Sequence, residues 1–107
     1  MELTSRARAR APVADDREKA AQIAEILKAV AHPLRLRIVA ILCTREMQVN
    51  ALADRLRAPQ AIVSQQLRIL RMHRLVTAVR ANGYVTYRLR EPRLRDLVNC
   101  MEHCSLP

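Results

Sequence analysis

The side chains of this 107-residue chain best suited to covalent or soft-ion chemistry are its three cysteines, Cys43, Cys100 and Cys104. Thiolates are the ligands preferred by soft ions, and trivalent arsenite and antimonite fall in that group. Two thiols can instead close a disulfide or a polysulfide bridge. Cys100 and Cys104 stand four residues apart, which is one face of a continuous helix. A direct disulfide between successive helical turns is disfavoured, because their Cβ atoms point in similar directions. His103 and neighbouring arginines can lower a thiol pKa. Cys43, at the end of an apolar stretch, reads more readily as a small core residue than as a sensor. Nothing in the sequence requires a cofactor; a soft metal ion or arsenite or antimonite would enter as a signal held by Cys43, Cys100 and Cys104.

A second set suits hydrogen bonding to bases. Gln60, Ala61, Ser64, Gln65, Arg68 and Arg71 fall on the polar side of one short stretch. Glutamine can pair bidentately with adenine and arginine with guanine. Gln60, Ala61, Ser64 and Gln65 are the residues expected near bases, with Arg68 and Arg71 at phosphates. Arg80, Asn82 and Arg88 follow, where a guanidinium can enter a minor groove or clamp a phosphate. Charge agrees. The formal net charge is +9, and between Arg55 and Arg95 there are ten arginines and one acid, Glu91. A basic half beside a mixed half implies a polyanionic partner.

Other chemistries are poorly served. There is no Ser/His/Asp set or metal-hydrolase spacing, and a single glycine rules out a phosphate-binding glycine loop, so an enzyme is not expected. No apolar run approaches the ~20 residues that span a bilayer, and no signal-peptide core is visible, so a cytoplasmic protein without membrane contact is expected. A basic RNA-binding or ribosome-associated protein is the alternative of another class. It would call for exposed aromatics, and only Tyr84 and Tyr87 exist.

The positioning elements follow from periodicity. Residues 1–14 read as a flexible basic arm, and residues 15–107 as one domain. A helix is predicted from Asp15 to Val30, opened by acids. His32-Pro33 breaks and restarts the chain, since proline is tolerated at a first helical position. A second, well buried helix then runs to about Cys43. Shorter helices follow over Gln48–Leu56 and Gln60–Met72, joined by Arg57-Ala58-Pro59; Ile62, Val63, Leu67 and Leu70 form the expected core face of the latter. Two short helices with a tight turn form a helix-turn-helix. The period then changes to two over Val76–Ala81 and Tyr84–Leu89, around the strong hairpin signal Asn82-Gly83. A last helix is expected over Pro92–Cys104. The fold class is mainly α with a β-hairpin: a winged helix-turn-helix of five helices and a two-stranded wing.

Three strings in this order resemble the ArsR/SmtB family of bacterial metal- and redox-responsive repressors. They are Leu27-Lys28-Ala29-Val30-Ala31-His32-Pro33-Leu34-Arg35-Leu36-Arg37-Ile38, Val63-Ser64-Gln65-Gln66-Leu67-Arg68-Ile69-Leu70, and Gly83-Tyr84-Val85-Thr86-Tyr87-Arg88-Leu89. The resemblance implies a homodimer whose first and last helices pack against their mates. It implies two recognition helices on a palindromic double-stranded operator, and derepression by a signal. The family's Cys-x-Cys metal site would fall at Gln48 and Asn50, whose neutral amides are poor soft-ion ligands. A second family site on the last helix is also missing, because Asp96, Glu102 and His103 lack its spacing. Thiol-sensing members pair a second-helix cysteine with a last-helix cysteine. By that resemblance Cys43 would answer to Cys100 or Cys104 in a redox- or sulfur-responsive repressor.

Overall fold

The computed structural model describes residues 11–105. Most of the expected basic arm, residues 1–10, lies outside the described residues. A single 3₁₀ turn, Val13–Asp15, precedes helix α1, Arg17–Val30. The helix starts two residues later than Asp15 because Asp16 is its cap, its carboxylate accepting from the Lys19 backbone N–H at 3.0 Å. Helix α2, Pro33–Leu42, opens on Pro33, and the His32 Nδ1 accepts from the Leu34 N–H at 3.2 Å. Ile38, Val39, Ile41 and Leu42 are all buried. A helix apolar on several sides must be central: α2 packs against α1, helices α3 (Val49–Leu56) and α4 (Gln60–Met72), strand β2 (Tyr84–Leu89) and helix α5 (Arg93–Glu102).

Helices α3 and α4 make the helix-turn-helix. Leu52, Ala53 and Leu56 face Val63, Leu67 and Leu70 across the core. Ile62 does not join them; it is 41% exposed. Residues 63, 67 and 70 define the buried stripe, and the 100° helical step puts residue 62 past its edge. With no Phe or Trp in the chain, the core is filled by aliphatic side chains, with Leu75, Val76, Leu94 and Val98 closing it. No buried side-chain nitrogen or oxygen among the described residues lacks a hydrogen-bond partner.

Strand β1, Val76–Ala81, pairs antiparallel with β2 in the register Val76↔Leu89 to Ala81↔Tyr84. Asn82 and Gly83 between them have φ of 52° and 80°, the pair of positive values that a two-residue type I′ turn needs. Met47 adds a third short segment to the sheet. Its N–H donates to the Tyr87 carbonyl at 3.1 Å, and the Tyr87 N–H donates back at 2.7 Å. This ties the entry to α3 to the wing. Helix α5 buries Leu94 and Val98 in the core and packs its backbone against α2. It ends at Glu102, two residues short of the expectation: the N–H groups of His103 and Cys104 turn back to the Cys100 and Met101 carbonyls, at 3.3 and 3.1 Å. Cys104 therefore lies beyond the helix and does not continue the Cys100 face.

Candidate nucleic-acid interface and thiol sites

Burial of Val63, Leu67 and Leu70 fixes which way α4 faces. On the opposite side Gln60, Ala61, Ser64, Gln65, Arg68 and Arg71 are all exposed, on one surface running the length of the helix. The surface carries no acid. Helix N-termini present free N–H groups and a positive dipole end, which favours an approaching phosphate. Pro59 at the N-cap supplies no side-chain cap, so the Gln60 and Ala61 N–H groups stay available, while the Ile62 N–H donates to the Pro59 carbonyl at 3.0 Å.

Both ends of α4 are marked by an arginine in a left-handed backbone conformation. Arg57 has φ 53° and Arg74 φ 59°. Each sits in the turn that closes a helix. The Ala58 N–H reaches back to the Ala53 carbonyl at 3.1 Å, and the Leu75 N–H to the Leu70 carbonyl at 3.0 Å. Glycine is the usual residue at such a position, and a side chain there adds about 1 kcal/mol of strain. Both arginines are exposed, and each adds a cation beside the helix. Sequence reasoning saw the turn at 57–59 but gave these two arginines no role.

The wing tip carries Arg80 and Asn82, both exposed, beside Tyr84, which is 61% exposed. Arg88 is also exposed, yet it is not at the tip. It pairs with Thr77 at the root of the hairpin, four residues from Tyr84, or about 13 Å at ~3.3 Å per residue. Six of the nine candidate contact residues thus share one exposed face of α4, Arg80 and Asn82 stand at the wing tip, and Arg88 stands apart at the root of the hairpin.

One side-chain link reaches the back of α4. The Arg35 Nε donates to the Ala29 carbonyl at 2.6 Å, and its Nη1 to the Gln66 Oε1 at 2.9 Å. The last turn of α1, the first turn of α2 and the middle of α4 are thereby joined through one guanidinium. Gln66 neighbours the exposed Gln65 but is partly buried, so the link bears on how the exposed face of α4 is held.

The three cysteines are free and lie in different surroundings. Cys43 is half-buried in a cleft of about 210 Å³ with Ala40, Arg95, Val98 and Glu102. Burial pushes its thiol pKa up, opposed by the positive charge of Arg95 and reinforced by Glu102. The Arg95 guanidinium also donates to the Cys43 carbonyl. Cys104 is exposed and lines a cleft of about 430 Å³ with Leu36, Ala40, Val98, Met101 and Glu102. The two clefts share Ala40, Val98 and Glu102, so Cys43 and Cys104 flank the same α2–α5 seam. Cys100 is exposed and lines neither cleft. Among the described residues no three His, Cys, Asp or Glu side chains are grouped so as to hold a metal ion. The expected three-thiol set is thus not assembled within the described protomer.

A model of the arsR family of bacterial regulatory proteins matches residues 32–78, from the α2 cap into the hairpin. The biofilm growth-associated repressor of Xylella fastidiosa is 36% identical over 88 residues, 81% of this chain and 77% of that protein. The crystal structure of the transcriptional repressor BigR from Xylella fastidiosa has a TM-score of 0.80 at 32% identity, and covers 90% of this chain and 100% of that one. The chain belongs to the arsR family. It is a winged helix-turn-helix transcriptional regulator that binds DNA, and not an enzyme. A third similar protein is the DNA-binding domain of Mb0332 from Mycobacterium bovis, described as homodimeric. It has a TM-score of 0.69 at 29% identity, covering 81% of this chain and 82% of that one. In this arsR-family chain the family match ends at residue 78. Most of the wing and all of α5 therefore lie outside the matched stretch. No helix of the described residues is long and apolar enough to cross a membrane.

Proposed function

We propose that this arsR-family chain represses transcription as a homodimer, each copy of α4 reading one half of a palindromic operator, and that thiol chemistry at the α2–α5 seam releases it. The observation that carries the DNA reading is the acid-free exposed face of α4, with Gln60, Ala61, Ser64 and Gln65 toward its N-terminal end. That is the end that enters a major groove in helix-turn-helix docking. Arg68, Arg71 and the wing-tip pair Arg80 and Asn82 supply phosphate and minor-groove contacts; Arg88 joins only if DNA wraps to the root of the wing.

Dimerisation is supported by the outer helices. Leu27 on α1 is 44% exposed and Met101 on α5 is 40% exposed. The apolar cleft beside Met101 is open, and α1 and α5 do not touch within the protomer. Covering these faces with a second copy hides apolar surface that a lone domain would leave in water. A homologous domain is described as homodimeric.

For release, Cys104 is the accessible thiol and Cys43 the protected one across the seam. Cys104 attacks a peroxide, giving a sulfenic acid and one water. Attack by Cys43 on that sulfur then forms the disulfide and a second water. With a polysulfide, Cys104 attacks an inner sulfur and expels hydrosulfide, and Cys43 then attacks the same sulfur and expels a second hydrosulfide, leaving that sulfur in the bridge. Closure draws α5 along α2, and with it the dimer face.

The test is selection of duplexes from a random pool by the full chain, followed by footprinting. Two protected half-sites about 10 base pairs apart are expected. Binding without a repeated half-site refutes the dimeric reading. Leu27→Glu with Met101→Glu is expected to yield a folded monomer by sedimentation with weakened operator binding. Cys43→Ser and Cys104→Ser should each abolish peroxide-driven release, whereas Cys100→Ser should not. Release that survives both changes overturns the thiol mechanism.

A further inference from the structure

At the root of the wing the chain builds a groove of about 500 Å³ that the DNA reading does not use. Its floor is Leu42 and Leu89, and its walls carry Arg45 from the end of α2, Arg88 and Arg90 from the end of β2, and Arg95 from α5. Thr44 and Thr77 bring hydroxyls to the rim. The Thr44 Oγ1 already donates to the Ile41 carbonyl at 2.8 Å; Thr77 makes no side-chain hydrogen bond among the described residues.

Four guanidiniums converge there against a single acid, Glu46. None of the four makes an ion pair among the described residues. The nearby Glu91 is taken by Arg93 at 2.7 Å, and Glu102, which lines the adjoining Cys43 cleft with Arg95, forms no ion pair with it among the described residues. Arg95 alone has a partner, the neutral carbonyl of Cys43. Like charges brought together without counterions repel one another. An arrangement that three separate elements hold in one concavity is relieved by an anion. Guanidinium forks match the oxygens of phosphate bidentately. The volume is at the size of a small-molecule pocket.

We propose that this groove is a phosphate-binding site, taking a phosphate group either from a small phosphate ester or from the DNA backbone. It goes beyond the base-reading face and stands without it. Its position accounts for the separation of Arg88 from the wing tip. It also shares Thr44 and Arg95 with the Cys43 cleft, so a bound phosphate sits beside the α2–α5 seam.

The experiment is a titration of the full, isotope-labelled chain with inorganic phosphate at constant ionic strength, potassium chloride making up the difference. NMR would follow the Thr77 amide and the Nε–H signals of Arg45, Arg88, Arg90 and Arg95. Saturable shifts at these signals, absent in chloride alone, are expected. Arg45→Gln with Arg90→Gln should weaken the phosphate affinity at least about tenfold, since each removes a charge-assisted contact. Neither side chain makes a hydrogen bond or ion pair among the described residues, and an unchanged spectrum of core amides such as Leu67 would verify the fold. Shifts that chloride reproduces, or a variant that binds phosphate as the parent does, overturn the site. A second arm adds a short duplex. If it moves the groove signals and displaces phosphate, the backbone is the source. If it moves only α4 and wing-tip signals while the groove still binds phosphate, the source is a free ester. Both results support a phosphate site.

Discussion

Removing the Arg35 guanidinium is predicted to loosen the recognition helix without touching its DNA-facing surface. Arg35→Ala deletes two hydrogen bonds, to the Ala29 carbonyl at 2.6 Å and to Gln66 at 2.9 Å. A hydrogen bond from a charged donor contributes about 1.5–3 kcal/mol net. Both bonds are only partly buried, so water can replace the donor and the lower end applies, about 3 kcal/mol together. Releasing the arginine side chain returns about 1–1.5 kcal/mol of rotamer entropy. A destabilisation of about 1.5–2 kcal/mol remains, read as a fall in Tm of roughly 6–16 °C for a domain of this size. The comparison is made at one chain concentration, so that the proposed dimerisation contributes equally to both. Gln66→Ala loses the second bond alone. The cycle of Arg35→Ala, Gln66→Ala and the double variant should therefore show a coupling of about 1 kcal/mol. DNA binding gives the functional readout: preference for a selected duplex over random sequence should fall, while phosphate-driven binding to random duplex persists. Additivity of the two substitutions within about 0.3 kcal/mol, with duplex preference unchanged, would refute the reasoning.

Three further outcomes follow from the same geometry. Arg57→Gly relieves about 1 kcal/mol of left-handed strain against about 0.5–1 kcal/mol of glycine backbone entropy, so denaturant melts should show a gain of at most about 0.5 kcal/mol. It should at once weaken binding to any duplex and shallow its salt dependence by about one phosphate contact. Alkylation with iodoacetamide at neutral pH should label Cys100 and Cys104 before Cys43. The raised Cys43 pKa keeps it as thiol, so its labelling by mass spectrometry should catch up only at alkaline pH. The Glu91 carboxylate accepts from the Arg93 side chain and from its backbone N–H at 3.0 Å, which caps α5 and holds its pKa below the ordinary carboxylate value. A lowered pKa means the contribution is whole above the unfolded value and lost as pH falls through the folded one. Glu91→Gln should therefore be less stable than the parent at pH 7, and the difference should shrink as pH falls below the ordinary carboxylate value.

What local sequence could reveal and what it could not divides along physical lines. The ends of α4 and of both strands stand where periodicity and Asn82-Gly83 put them, because each is decided within a few neighbouring residues. The start of α1 moved to Arg17 through a single carboxylate contact, a choice between two adjacent aspartates that composition does not make. Ile62 looked like core because isoleucine is apolar; only the angle set by Val63 and Leu67 turns it outward. The Met47–Tyr87 bridge and the Arg35–Gln66 link span 40 and 31 residues, and no periodicity carries such information. The thiols show the same limit. Spacing put Cys100 and Cys104 on one helical face, but α5 ends at Glu102, so Cys104 leaves that face and lines a cleft that shares Ala40, Val98 and Glu102 with the one lined by Cys43.

The most direct test of the account is a duplex titration by fluorescence anisotropy across a salt series, run on a selected and on a scrambled sequence with parent chain and Gln65→Ala. Affinity for the selected duplex should fall by at least about 10³ between 50 and 200 mM salt. The parent should prefer the selected over the scrambled duplex, and Gln65→Ala should narrow that preference by about 1–3 kcal/mol. Affinity that ignores salt, or a Gln65→Ala variant that loses equally on both sequences, would contradict a regulator that reads bases with this face of α4.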